Sequence, residues 1–300
     1  MQIRNSLSGK KPFRYTPYLF VVPALIVHMC LVAVPSLSTL VMSLYDWNGL
    51  GGAEYIGLAN FVEIFTDDRV ISIALTNNLK WLAIFITIPI ILAFVVAIAV
   101  SRVKRGQMTF RTIYFIPYVI SSAVAGKIWS SYFNPYYGIN TIFESLGWTN
   151  LADVLWLGDP DIALFSVAFV DMWHFWGFPM VLFLSALQQI DPALYEAARV
   201  DGANRRQELW YVSLPGIRQT ISFLLIMTVM WSFLTFDYVY VMTYGGPANS
   251  TEILSTWIYK NAFSMYRAGY ANALCVVQSL ICIVFYFIQR FIGKKGGIEA

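Results

Sequence analysis

The chain has 300 residues, of which 58% are hydrophobic, 17% aromatic and 12% charged, and its mean hydropathy is +0.61. This composition lies outside the range of ordinary soluble domains and predicts an integral membrane protein. The net charge of +3 is uninformative as a total, but the positions of the charges bear on orientation.

Six apolar stretches have the roughly 20 residues that a helix needs to cross about 30 Å of hydrocarbon. Runs such as ITIPIILAFVVAIAV are apolar on every face, whereas the strands of a membrane barrel alternate in polarity. We therefore predict an all-α, polytopic membrane protein with about six transmembrane helices, made of an N-terminal segment, 1–16, and one transmembrane domain, 17–300. The predicted spans are 17–43, 76–101, 109–133, 162–187, 219–242 and 271–291.

Basic residues gather in alternate connections, and acidic residues dominate the others. Because basic residues concentrate on the cytoplasmic side of membrane proteins, this pattern places both termini in the cytoplasm. The basic groups are Arg4, Lys10, Lys11 and Arg14; Arg102, Lys104, Arg105 and Arg111; Arg199, Arg205, Arg206 and Arg218; and Arg290, Lys294 and Lys295.

The polar connection between the fourth and fifth spans, 188–218, begins with a helix signal. Asp191 before Pro192 is typical of a helix start, because the carboxylate caps free N–H groups and proline fits the first turn. We expect this helix to run to Asp201 and to end at Gly202, which adopts the left-handed conformation at little steric cost.

A second short helix is predicted to follow. Asn204 and Gln207 have the spacing of a capping box. Leu214-Pro215 is expected to end this helix before the fifth span, because proline lacks an N–H and disfavours helix in the residue before it.

One side of the first helix is small and apolar. Leu194, Ala197, Ala198 and Asp201 recur at helical spacing, so the alanines would let the backbone approach another surface closely. Composition alone leaves two interpretations open: a docking face for a partner, or an amphipathic connector lying on the lipid headgroups.

The same segment resembles a known signature. Glu196-Ala197-Ala198, followed at the same spacing by Gly202 and Leu214-Pro215, is similar to the EAA motif in the membrane subunits of ATP-binding-cassette (ABC) importers. The stretches YIGLANFVEIFTDD, FRTIYFIPYVISSAVAGKIW and VYVMTYGGP resemble the maltose-type carbohydrate permeases. The chain departs from the family pattern in Val212, where isoleucine is usual, and in lacking a proline shortly after Pro215.

The resemblance implies a type I ABC importer permease fold, a location in the cell membrane of a prokaryote and a set of partners. The chain would pair with a second permease, usually a different homologous chain. Two ATPase subunits would bind ATP and Mg²⁺ beneath it, and an extracytoplasmic binding protein would deliver sugar. This chain would hold no cofactor and would not be an enzyme, and its sequence contains no GxxxxGK phosphate-binding loop.

Within the loop, the resemblance implies a polar anchor at Glu196, close contact at the alanines and a turn at Gly202. The alternative for Glu196 is an ordinary i, i+3 pair with Arg199. Motion of the docked helix would drive alternating access, and Gly202→Asp should reduce uptake without affecting membrane insertion. The predicted docking residues are Glu196, Ala197, Ala198, Asp201, Gly202, Leu214 and Pro215.

Sugar sites combine aromatic platforms with polar groups, and two stretches within the spans have both. Asp171 and Asp237 are costly at membrane depth and are therefore functional candidates, although either can instead pair with Lys80 or Lys127. By resemblance, the regions around 177 and 232–240 face sugar, with packing as the alternative for each aromatic residue. The candidate path residues are Trp173, Trp176, Gly177, Phe178, Trp231, Ser232, Asp237 and Tyr240.

The outer connections, 45–75, 134–160 and 243–270, carry the acidic excess and several turn signals. They are expected to receive the binding protein, with a merely solvated surface as the alternative. His28, His174 and the three cysteines lack the spacing of metal ligands and are interpreted as packing residues.

Two other functional classes remain open from the residues alone. An ion-coupled secondary transporter of a small polar solute would be expected to have intramembrane relay carboxylates and inverted repeats with broken helices. The sequence has two clear intramembrane aspartates and no convincing repeat. A membrane enzyme would need a reactive constellation, and none is visible.

Overall fold

A computed structural model describes residues 16–103 and 105–295 of the chain. The predicted segment 1–16 lies outside the described residues except for Thr16. The same is true of Lys104 and of the basic residues that precede the first span.

The regular secondary structure of the described chain is helical apart from one two-stranded antiparallel ribbon, β1 (Tyr45–Asp46) and β2 (Glu54–Tyr55), in the first outer connection. Two π-helical turns, Met29–Ala33 and Leu209–Ser213, join consecutive helices, and a third, Lys260–Ser264, extends the helix before it. The helices are α1 (Thr16–His28), α2 (Val34–Met42), α3 (Ala59–Thr66), α4 (Arg69–Ser101), α5 (Gln107–Val119), α6 (Ser122–Tyr132), α7 (Ile139–Ser145), α8 (Thr149–Ala152), α9 (Ala163–Phe175), α10 (Gly177–Gln188), α11 (Pro192–Val200), α12 (Arg205–Glu208), α13 (Leu214–Gly216), α14 (Arg218–Leu234), α15 (Asp237–Met242), α16 (Leu254–Tyr259) and α17 (Ala268–Lys295).

The prediction of an all-α polytopic membrane protein is confirmed. Among the described residues, five helical stretches are long and apolar enough to cross a membrane. They coincide with the first, second, fourth, fifth and sixth predicted spans. The stretches are Tyr18–Met42, Arg69–Ser101, Ala163–Gln188, Arg218–Met242 and Ala268–Phe291.

The third predicted span, 109–133, is present as two shorter helices. α5 and α6 are separated at Ile120 and Ser121, which both have extended backbone conformations. Pro117, one turn before the break, weakens the helix because it has no N–H to donate. In a membrane, the carbonyls freed by such a break need a protein donor, and His174 Nε2 supplies one to Ile120 O at 2.7 Å. His174 therefore stabilises the break by hydrogen-bonding its backbone. The sequence predicted only a packing role for this residue.

The fifth span is also interrupted. α14 ends at Leu234, and α15 starts at Asp237 after an extended Thr235. Side chains from other helices bond the last carbonyls of α14. Asn78 Nδ2 donates to Ser232 O at 2.7 Å, and Gln278 Nε2 donates to Phe233 O at 2.7 Å. These bonds let the helix stop inside the membrane with the Ser232 and Phe233 carbonyls paired.

Helix α4 lies between the two parts of the hydrophobic core. Its Trp81 and Phe85 are fully buried with Phe175 and Phe183 from α9 and α10. The other side of α4 joins residues of α14 and α17, such as Phe233, in a second cluster. The helix begins seven residues before its predicted start, because Asp68 caps its first N–H groups.

Several acidic residues of the outer connections have partners within the chain. Asp68 accepts hydrogen bonds from Trp257 Nε1 (2.7 Å) and the Tyr270 hydroxyl (2.6 Å), which ties α16 and α17 to the start of α4. Glu63 receives both N–H···O contacts from Arg267, and the fully buried Glu252 pairs with Lys260. Part of the acidic excess therefore stabilises the outer connections themselves.

Candidate translocation path and coupling loop

The connection after α10 forms a compact pair of helices, which we call the coupling loop (residues 188–218). Asp191 caps α11 by accepting from Ala193 N at 2.9 Å. At the other end, Gly202 has φ +79°, and the N–H groups of Gly202 and Ala203 bond the carbonyls of Arg199 and Ala198. This is a Schellman cap, so the start and turn of the helix are as the sequence predicts.

The second helix also has its predicted start. Asn204 and Gln207 form a complete capping box. Its end differs from the prediction, because the chain stays helical from Arg205 through the π-helical turn to Gly216 and is interrupted first at Ile217. The π-helical turn shifts the hydrogen bonds, with Leu214 N reaching back to Leu209 O, and Pro215 then occupies the first turn of α13. Proline is tolerated there because it needs no N–H donor.

Two side-chain contacts brace the helices against each other. Arg199 Nε bonds Glu208 Oε1 at 2.7 Å, and the Tyr195 hydroxyl lies 3.0 Å from Ser213 Oγ. The hydrogen bond and charge of Glu208, and more weakly the nearby charge of Glu196, raise the pKa of Arg199 above its ordinary value. The predicted alternative of a simple Glu196–Arg199 pair is thus replaced by a contact between the two helices.

The predicted docking residues mostly face outward. Glu196, Ala197, Asp201, Gly202 and Pro215 are exposed, whereas Ala198 and Leu214 are half-buried. Leu194 and Val200 of the same helix are 55% and 87% exposed. A Cβ added at Gly202 would contact no other atom, so the turn is uncovered in the described chain. α11 therefore presents a small, partly apolar and exposed face.

A cavity of about 460 Å³ lies where the broken third span meets the broken fifth span. The start of α6 and the end of α14 form its walls, and Ser122 Oγ donates a hydrogen bond to Asp237 Oδ2 between the two breaks. The cavity is lined by Ser122, Met227, Met230, Trp231, Leu234, Thr235, Phe236, Asp237 and Tyr238.

Of the eight predicted path residues, Trp231 and Asp237 line this cavity. Asp237 is exposed, and Trp231 is half-buried with one ring face against Phe175 (centroids 5.8 Å apart, interplanar angle 29°). An indole supported on one side, next to a polar pair, is the arrangement that a sugar ring recognises.

The other six predicted path residues lie away from the cavity. Trp176 and Phe178 pack against Tyr114 and Tyr118 of α5, and Trp173 packs against Trp129 of α6. Tyr240 stacks on Phe236 at 4.9 Å, and Ser232 Oγ bonds the Thr228 carbonyl of its own helix. These contacts match the packing alternative.

Gly177 allows two helices to approach each other. A Cβ added there would lie 3.0 Å from the Tyr114 carbonyl carbon and 3.3 Å from the Phe115 Cα, both backbone atoms of α5. A larger residue would force the helices apart, so packing explains this glycine.

Polar residues that organise the site were overlooked in the sequence. Asn77 and Asn78 interrupt an otherwise apolar run, which was a usable signal. Asn77 Nδ2 holds the carbonyls of Ser250 and Glu252, and Asn78 Oδ1 accepts from Leu254 N at 2.9 Å. The two intramembrane aspartates bond Trp81, Trp231 and Ser122 rather than a lysine.

The family model described as "Binding-protein-dependent transport system inner membrane component" matches residues 86–295. The chain belongs to this family. It is 34% identical to the probable ABC transporter permease protein YurN of Bacillus subtilis, over 94% of this chain and 97% of the relative. It is 30% identical to the multiple sugar-binding transport system permease protein MsmF of Streptococcus mutans, over 98% and 99% of the two chains.

Solved structures give the same fold. A chain of a bacterial ABC transporter involved in the import of the acidic polysaccharide alginate superposes with a TM-score of 0.82 at 23% identity, covering 94% of this chain and 96% of the other. The prediction of an ABC importer permease, a non-catalytic multi-pass membrane subunit, is confirmed. Family membership excludes the secondary-transporter alternative, although this permease does contain two broken helices.

Proposed function

We propose that this chain is one permease subunit of an ATP-driven sugar importer, and that the cavity between the two helix breaks is its part of the sugar path. The observation that supports the path is the setting of Trp231, whose ring is backed by Phe175 and borders a cavity that also contains Ser122 and Asp237. The name of MsmF, a permease of a multiple sugar-binding transport system, supports the substrate class.

The charge of the lining narrows the substrate further. Asp237 is the one charged residue among the nine that line the cavity in the described part of the chain. A carboxylate repels an anionic ligand. We therefore expect uncharged sugars to be carried in preference to sugar acids or sugar phosphates.

The coupling loop is the proposed contact with the ATPase. Its exposed face (Leu194, Ala197, Val200 and Asp201) would enter a cleft of one ATPase subunit. ATP and Mg²⁺ would be bound by the ATPase subunits and not by this chain. The capped and cross-braced helices support transmission of force, because a rigid body transmits a displacement that a flexible loop would absorb.

The remaining subunits complete the proposed assembly. A second, homologous permease supplies the other wall of the path, and an extracytoplasmic binding protein docks on the outer connections. The positions of the basic residues support cytoplasmic termini in a prokaryotic cell membrane.

The test is uptake by the complete transporter, reconstituted in proteoliposomes with its own binding protein. Radiolabelled mono-, di- and oligosaccharides and glycerol phosphodiesters are compared, in wild type and in Trp231→Ala. We expect a neutral sugar to be carried, and Trp231→Ala to lower its uptake by about tenfold, the equivalent of one lost contact worth about 1.4 kcal/mol. Phe165→Ala is the matched control, since it removes an exposed aromatic ring of α9 that does not line this cavity.

Equal uptake in wild type and Trp231→Ala would reject the cavity as the path. Preferential uptake of the anionic substrates would reject the assigned substrate charge.

A further inference from the structure

Asp171 is a buried carboxylate that the proposed sugar path does not use directly. It lies on α9 within the membrane, is fully inaccessible to solvent, and does not line the cavity. A carboxylate at such depth is costly unless its oxygens are hydrogen-bonded. Its partners therefore indicate why the chain keeps it.

Two indole N–H groups from different helices meet at this carboxylate. Trp81 Nε1 of α4 lies 3.1 Å from Asp171 Oδ2, and Trp231 Nε1 of α14 lies 3.1 Å from Oδ2 and 3.3 Å from Oδ1. Tryptophan has a single N–H donor, so each indole has its donor satisfied by this one residue. Asp171 thereby joins three membrane helices.

The two indoles differ in what else they contact. Trp81 is fully buried and stacks on Phe85 at 5.9 Å, so the core packing around it fixes its ring. Trp231 is half-buried, stacks on Phe175 and is one of the residues that line the cavity. Stacking on Phe175 alone allows the indole a range of χ1 and χ2 angles, because ring–ring contact is less directional than a hydrogen bond. The bond to Asp171 removes that freedom.

We propose that Asp171 is a positioning residue for sugar transport, which holds the Trp231 indole at the angle at which its open face meets the sugar ring. The inference rests on the proposed sugar path. It assigns no contact between Asp171 and sugar. A fixed aromatic ring binds a sugar more tightly than a mobile one, because no side-chain conformational entropy is lost when the sugar binds.

The substitutions separate positioning from simple stability. In Asp171→Asn the amide oxygen can take the place of Oδ2, which receives the bond from Trp81 and the shorter of the two bonds from Trp231, so we expect near-normal transport. Asp171→Leu has similar size but no acceptor, and should lower sugar transported per ATP hydrolysed by about tenfold, in line with loss of a hydrogen bond to a charged group. Trp81→Phe removes the other N–H and should lower the melting temperature without changing that ratio.

The position of the ring is measured directly by ¹⁹F NMR on transporter labelled with 5-fluorotryptophan. The resonance that disappears in Trp231→Phe identifies Trp231. We expect this resonance to keep its shift and width in Asp171→Asn, and to shift or broaden in Asp171→Leu. If Asp171→Leu does not assemble, Asp171→Glu replaces it, because the extra methylene moves the acceptor oxygens and should also shift the resonance.

A double-mutant comparison decides the result. Once Trp231→Phe has removed the N–H, Asp171→Leu should cause little further loss of transport per ATP. The inference is overturned if Asp171→Leu lowers transport per ATP equally in the wild type and in Trp231→Phe. It is also overturned if the ¹⁹F resonance of Trp231 does not change in Asp171→Leu. If Trp231→Ala itself leaves uptake unchanged, the sugar path is wrong. If Trp231→Ala lowers uptake while Asp171→Leu does not, the path stands and only the positioning role is rejected.

Discussion

Gly177→Ala should destabilise the permease by separating α5 from α10. The new Cβ would lie 3.0 Å from the Tyr114 carbonyl carbon, with the carbonyl oxygen closer still. Carbon atoms in favourable contact are about 3.5–4.0 Å apart, so the helices must separate by at least about 0.5–1 Å, which weakens each neighbouring contact by at least a quarter to a half.

The affected contacts include the Tyr114–Trp176 and Tyr118–Phe178 ring pairs, with centroids 5.2 and 5.0 Å apart. Overpacking of this kind costs about 1–3 kcal/mol. For a domain of about 150–250 residues, 1 kcal/mol corresponds to about 2–4 °C in melting temperature, so a cost of about 2 kcal/mol predicts a fall of about 4–8 °C.

Gly126→Ala is the matched control for thermal unfolding of the detergent-solubilised transporter. Gly126 is also a buried membrane-helix glycine, but a Cβ there meets the Val241 and Met242 side chains at 3.5 Å, an ordinary contact distance. Both substitutions restrict the unfolded chain equally, so the difference between them isolates the steric effect. Equal melting temperatures for the two variants, or loss of sugar uptake by Gly177→Ala with no loss of stability, would refute the packing role.

Three further substitutions test the coupling loop and the broken fifth span. Gly202→Val should uncouple ATP hydrolysis from uptake, because a β-branched residue resists φ +79°, whereas Gly202→Asn should retain most uptake; equal uptake by the two would contradict this. Arg199→Glu should lower uptake per ATP with little change in melting temperature, since an exposed pair contributes at most about 1 kcal/mol. Adding Glu208→Arg should restore uptake, and failure of the double variant would show that the pair does not brace the helices. Asn78→Leu leaves two buried backbone groups without their partners and should cost about 2–6 kcal/mol, measured by the same thermal assay; unchanged melting would refute this.

Local chemistry made the coupling loop predictable from the sequence. Asp191, Gly202 and the Asn204–Gln207 box act through bonds within three or four residues, so their spacing is sufficient to define the caps. The effect of Pro215 was mispredicted because the π-helical turn before it changes the hydrogen-bond pattern. Pro215 then lies in the first turn of α13, where a missing backbone N–H is tolerated. The π-helical turn has no comparable local signature in LWYVS.

The helix breaks depend on distant residues and were therefore missed. The break after α5 is satisfied by His174, 54 positions away, and the end of α14 by Asn78, 154 positions away. Hydropathy identifies a segment that lies in the membrane. It does not identify the residue at which a side chain from another helix hydrogen-bonds the backbone and allows the helix to break. The same limit applies to the aromatic residues, because Trp176 and Trp231 differ in which neighbours their rings face rather than in local sequence.

The connection between the coupling loop and the cavity is nearly continuous. From Arg205 the chain is helical to Leu234, with one interruption at Ile217, which is itself buried and bonded to Ser213. α14 contributes 17 residues to this path, a length of about 25 Å at 1.5 Å per residue. In the proposed mechanism, the braced coupling loop therefore transmits a displacement of α11 to the start of α14. α14 then transmits this displacement to the cavity. α14 ends close to Trp231, and Asn78 and Gln278 hydrogen-bond its last carbonyls to other helices. A displacement of α14 therefore changes its position relative to those helices at the wall of the sugar path.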